Sequence, residues 1–179
     1  MLARETLRAL AVHVQATVCT RWGEAMRSLR ILLIEDSPSD VRLTREALKE
    51  SPVPVQIVVA RDGVEATDYL HQAKAGLADL PDLVLLDLNL PRKNGREVLA
   101  EVKSSPALKH IPVLVLSSSS SEEDISQAYS LNANCYITKP GSLSEYVDVV
   151  KAVEDFWLLT ATLPEAFRTE TAMPLVGSS

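Results

Sequence analysis

Five short apolar runs, each followed by a stretch with helical spacing, recur along the middle of this chain. Such alternation leaves few folds open. A strand followed by a helix returns parallel to its predecessor, and right-handed crossovers then build a doubly wound parallel sheet with helices on both faces. The runs are residues 30–35 (RILLIE), 55–60 (VQIVVA), 83–87 (LVLLD), 112–116 (PVLVL) and a weaker 134–138 (NCYIT). The third and fourth are almost wholly apolar, as strands covered on two faces must be.

Helix signals fall between the runs. Ser37 is placed to cap a helix whose first position is Pro38, where a missing N–H costs little. Val41, Leu43, Ala47 and Leu48 carry it towards Glu50, and the segment Ser51-Pro52-Val53-Pro54 stops it. Asp62-Gly63-Val64-Glu65 reads as a capping box, Asp62 capping and Glu65 reaching back, with a helix to about Ala75. Further helices are expected after Asn94-Gly95 to about Ser104 and over residues 122–131. A second box, Ser142-Leu143-Ser144-Glu145, opens a long final helix containing Val147, Val150, Val153, Phe156 and Trp157.

A length of 179 residues suits one domain of ordinary size with extra residues at its ends. The division expected is an extension over 1–28, a domain over 29–160 and a tail over 161–179. The extension carries Arg4, Arg8 and Arg21 around an apolar run, but His13 and Gln15 interrupt it and no A-x-A site follows. An appended or mis-assigned start, with Met26 just ahead of the first strand, is the reading preferred over a targeting peptide. A hydrophobic fraction of 46% with 23% charged residues fits a soluble globular protein. A net charge of −6 argues against a nucleic-acid partner, which needs clustered cations. No run of about eighteen apolar residues occurs, so no membrane span is expected. Cys19 and Cys135 form no C-x-x-C pair, and a reducing cytoplasm is the default location.

In an open α/β sheet the ligand site lies beyond the carboxyl ends of the strands, where strand order reverses. The residues at those ends are Glu35 and Asp36, Asp87, Ser117 and Lys139. Three carboxylates in one small pocket repel one another and raise pKa values. A hard divalent cation such as Mg2+ removes that penalty, taking oxygen ligands and leaving room for water and phosphate. A carboxylate can also attack phosphorus and form an acyl phosphate. Asp87, the central acid, is therefore read as the nucleophile. Glu35, Asp36, Asp87 and the backbone carbonyl of Asn89 are read as metal ligands. Lys139 is the fixed cation, and Ser117 supplies a hydroxyl to a phosphoryl oxygen.

Over about residues 29–160 the chain resembles the response-regulator receiver family. The motifs are ILLIEDSPSD, PDLVLLDLNLPRKNG, PVLVLSSSS and CYITKPGSL, in that order. Asp87 lies thirty residues before Ser117 and fifty-two before Lys139, intervals familiar in that family. The resemblance implies a flavodoxin-like sheet with strands ordered 2-1-3-4-5. It implies an aspartyl phosphate at Asp87, a switch through Ser117 and Tyr136, and a cis peptide between Lys139 and Pro140 that aims the lysine into the pocket. Ser stands at Ser117 where the family often has Thr, and Glu35-Asp36 where it often has two aspartates; hydroxyl and charges are kept. VARDGVEA, a longer helix region over 71–80 and FWLLTATLP are similar to the stand-alone regulators that partner bacterial and cyanobacterial phytochromes. The partner implied is a sensor histidine kinase, with a bacteriophytochrome as candidate; a second copy of the chain is expected from the position of Trp157 near the end of the last helix.

Blander readings compete at each position. Asp87 by itself fits an Asx-turn, Lys139-Pro140 a turn with a solvated lysine, and Tyr136 a half-buried strand tyrosine. His13, His71 and His110 share no ligand spacing and read as surface residues. Phe156 and Trp157 read either as core or, for Trp157 near the helix end, as a dimer contact. Fewer than forty residues follow the start of the last helix, too few for a helix-turn-helix output module, so a receiver whose output comes from binding is expected. It is read as a phosphoacceptor signalling domain and not an enzyme, with at most self-dephosphorylation. Two rivals remain. A phosphorylation-independent dimeric scaffold keeps the fold and leaves the aspartate idle. An aspartate-nucleophile phosphatase resembles D-x-D, but Asn89 stands where its second acid belongs.

Overall fold

The computed structural model describes residues 28–161 and 163. Five strands and five helices alternate: β1 (Leu29–Ile34), α1 (Pro38–Ala47), β2 (Val55–Ala60), α2 (Gly63–Lys74), β3 (Leu83–Leu86), α3 (Gly95–Ser104), β4 (Val113–Ser117), α4 (Glu122–Ser130), β5 (Cys135–Thr138) and α5 (Leu143–Val153). All neighbouring strands pair in parallel in the order β2-β1-β3-β4-β5, as expected.

Period-two alternation along the strands divides the core into two layers. Leu32, Ile34, Val84, Leu86, Val113 and Val115 point to one side and pack against Leu70 of α2, Leu99 of α3 and Ala128 of α4. Ile31, Leu33, Leu83, Leu85, Leu114 and Leu116 point to the other, against Ala47 of α1 and Val150 of α5. The central strand β3 is buried along its whole length, which explains its unbroken apolar sequence.

Helix starts follow the capping residues. Ser37 accepts from the N–H of Asp40, and Ser142 from that of Glu145. The box at Asp62 differs from expectation: Asp62 accepts from Val64 and Glu65, but the Glu65 carboxylate takes the N–H of Arg61 instead of that of Asp62. A complete capping box stands at Asn94 and Glu97, which the sequence reading passed over.

Within the region 71–80, α2 ends at Lys74 with Ala75 as its C-cap, as expected, and Gly76 then turns the chain with φ of 73°. The final helix changes at Glu154 into a π-helical segment, Glu154–Thr160. On it Trp157 is half-buried against the second core layer, so the strongly exposed aromatic is Phe156, at 55%. The two rings meet edge-on at 5.3 Å. His71 is exposed and pairs with Glu101 at 2.8 Å, while His110 is half-buried. Cys135 is a free, half-buried thiol. His13, Cys19 and the expectations for the extension and the tail lie outside the described residues. No described helix is long and apolar enough to cross a membrane.

Candidate functional site

Strand order reverses between β1 and β3, and the crevice at their carboxyl ends is the site that topology selects. Backbone hydrogen bonds carry the ladder one residue past the strands and fix what stands there. The N–H of Asp87 donates to the Ile34 carbonyl at 3.0 Å, and that of Glu35 to Ala60 at 2.9 Å. On the far side the N–H of Lys139 donates to the Ser117 carbonyl at 2.7 Å. Gly95 closes the loop behind Asp87: a Cβ there would lie 2.2 Å from the Asp87 carbonyl oxygen, so no other residue fits without moving that backbone.

Glu35, Asp36 and Asp87 come together as expected, each offering a carboxylate oxygen within 4.8 Å of the others. Glu35 and Asp87 are buried and Asp36 is exposed. Lys139 reaches in with its ammonium 2.6 Å from Asp87 Oδ2 and 2.5 Å from Glu35 Oε2. Its peptide to Pro140 is not cis, since the described residues contain no cis peptide. The trans isomer, the lower-energy form of an X–Pro bond, already delivers the lysine because its own N–H is tied to β4. Asp87 also makes the Asx-type contact of the blander reading, Oδ1 accepting from the N–H of Asn89 at 2.9 Å. The two roles use different oxygens of one carboxylate.

Ser117 is fully buried at the end of β4, its Oγ accepting from the N–H of Ser119 at 3.3 Å. Tyr136 is half-buried on β5 and donates its hydroxyl to the Ser119 carbonyl at 2.8 Å. The Asn89 side chain donates to Ser118 Oγ at 3.3 Å, so the loops after β3 and β4 touch above the pocket. Arg92, at φ 64°, pairs with Asp62 and anchors the loop after β3 to the start of α2.

Asp40 was not foreseen. It lies in the first turn of α1, and its Oδ2 accepts from Lys139 at 3.0 Å. The available signal was its place in ILLIEDSPSD, one helical turn beyond the acids of the strand end. Nor was Tyr146 foreseen; its hydroxyl meets Thr44 Oγ1 at 3.0 Å beneath the pocket, in a fully buried pair.

Burial pushes the Glu35 carboxyl above its ordinary value, and the hydrogen bond and charge of Lys139 offset this only in part. Burial would lower Lys139, but hydrogen bonds to Asp87 and Glu35, and their charges, outweigh it and hold the ammonium above its usual range. One cation therefore faces Glu35, Asp36, Asp40 and Asp87, leaving a surplus of negative charge on hard oxygen donors. That donor set fits a divalent cation of the Mg2+ type.

The response regulator receiver domain model matches residues 31–151. The response regulator Rcp1 of Synechocystis sp. is 48% identical over 137 residues, which is 76% of this chain and 93% of that protein. Among solved structures, the phosphorylated cyanobacterial phytochrome response regulator RcpA superposes with a TM-score of 0.74 at 55% identity, covering 77% of this chain and 99% of that one. The Mn2+-bound form of Rcp1 superposes with a TM-score of 0.73 at 47% identity, covering 76% and 99% respectively.

Proposed function

The chain belongs to the response regulator receiver family, and on that premise we propose that Asp87 accepts the phosphoryl group, with Glu35, Asp36, Asp87 and the Asn89 carbonyl holding Mg2+. The observation that carries this reading is the buried Asp87 carboxylate at the switch point, with an ammonium 2.6 Å from one oxygen and two more acids within 4.8 Å.

The reaction exchanges one bond. An Asp87 oxygen forms a bond to phosphorus as the phosphorus–nitrogen bond of a phosphohistidine on the donor kinase breaks, its electron pair staying on the imidazole. When bound, the metal supplies neutralising charge to the acids and the transferred group. Lys139 places its ammonium on a phosphoryl oxygen. Ser117 exchanges its contact with the Ser119 N–H for a second phosphoryl oxygen. Burial of Asp87 keeps bulk water from the acyl phosphate. Movement at Ser117 changes the loop that Tyr136 holds through Ser119, and so the surface of α4, β5 and α5.

The donor is a histidine kinase. Likeness to a phytochrome response regulator favours a bacteriophytochrome as that kinase and a cytoplasmic setting. Exposed Phe156 beside Trp157 supplies an apolar contact for a second copy of the chain.

Intact mass after incubation with acetyl phosphate, with and without Mg2+, tests the reading. The expected result is a single Mg2+-dependent phosphoryl adduct that Asp87→Asn abolishes. A folded wild type that gains no adduct would leave the scaffold rival standing.

A further inference from the structure

We propose that Asp40 is a positioning residue that draws Lys139 off Asp87 and so opens the carboxylate pocket to a divalent cation. The inference rests on the metal-binding reading given above. An ammonium has three donors, and Lys139 points at three acids: Glu35 at 2.5 Å, Asp87 at 2.6 Å and Asp40 at 3.0 Å. Two of these belong to the group that would hold the cation. A divalent ion and an ammonium on the same oxygens repel each other, so one must withdraw for the other to enter. Asp40 is the acceptor that lies outside the three-acid group, and it gives Lys139 somewhere to go.

Its placement is built. The N–H of Asp40 donates to the Ser37 cap at 3.4 Å, and its Oδ1 accepts from Ser39 Oγ at 3.3 Å. One turn along the same face of α1, Thr44 is pinned to Tyr146 of α5. Helix α5 begins shortly after Lys139, so α1 and the lysine are held at a fixed separation from both ends. Asp40 thus acts through Lys139 and not on the cation.

A double-mutant cycle separates those possibilities, with Mn2+ affinity read by electron paramagnetic resonance of the free ion and folding checked by circular dichroism. Asp40→Asn is measured in the wild-type and Lys139→Ala backgrounds, with Lys139→Gln in place of Lys139→Ala should that variant not fold. The expected result is a loss of about three- to tenfold in the wild-type background and less than about twofold without the lysine. An equal loss in both backgrounds would make Asp40 a plain charge or a ligand and overturn the proposal, as would no loss in either. Asp36→Asn serves as the control for the parent reading. Wild type that takes up no Mn2+, or uptake that Asp36→Asn leaves untouched, overturns that reading and this inference with it. Uptake that Asp36→Asn removes leaves the Asp40 cycle to be judged alone.

Discussion

Glu35 is under opposing demands, since a buried carboxylate is costly to ionise yet the proposed cation site needs its charge. Its folded pKa is raised above the ordinary 4.5, chiefly by burial. Its contribution to folding is therefore most favourable below that ordinary value and is lost as pH rises through the raised one. Ionised Glu35 thus costs stability at neutral pH, while Lys139 keeps Asp87 and Asp40 as partners when Glu35 is removed. Glu35→Gln should unfold at higher urea than wild type at neutral pH without divalent ions, and lose Mn2+ binding. The gap in urea midpoint should close as pH falls below 4.5. A gap that is constant with pH would mean that burial of the charge is not its source. Glu35, Asp36, Asp87 and Lys139 were legible in the sequence because strand ends select them. Asp40 was not, because an acid in the first turn of a helix is already accounted for by the helix dipole.

At the scale of elements, α1 and α5 lie side by side on one face of the sheet and share a single buried polar contact, Thr44 with Tyr146. Removing one partner strands the other without water. Tyr146→Phe should cost about 1–3 kcal/mol in chemical denaturation, and Tyr146→Phe with Thr44→Val should recover part of it, because two apolar groups leave nothing unsatisfied. A double variant no better than Tyr146→Phe would show that a stranded Thr44 hydroxyl is not the source of the single variant's loss. This pair was hidden in the sequence: the two residues are 102 positions apart, and each reads singly as an ordinary helix residue. The caps at Ser37, Asp62 and Ser142 were readable because capping is local. The change to a π-helical turn at Glu154 was not, since apolar spacing continues through Phe156 and Trp157 and a period-based reading extends the α-helix over both.

For the whole molecule, alternating runs determine a sheet buried on two faces, and the reversal of strand order between β1 and β3 leaves one crevice to which the ends of four strands contribute acids, hydroxyl and lysine. The fold was legible because each run is short, apolar and followed by a cap. The strand order itself came through likeness of motifs, because periodicity carries no information on which strand lies beside which. A pocket with more acid than base couples ligand to global stability: a cation that binds only the folded chain stabilises it by about 2.7 kcal/mol at one hundred times its dissociation constant. Melting temperature should therefore climb with Mg2+ or Mn2+ but not with equal ionic strength of sodium chloride. Asp36 is exposed and no core packing depends on it, so Asp36→Asn should leave the metal-free transition nearly unchanged while flattening the response to metal. A response of wild-type size in Asp36→Asn would place the cation elsewhere on the acidic surface and remove the thermodynamic link between this crevice and the fold.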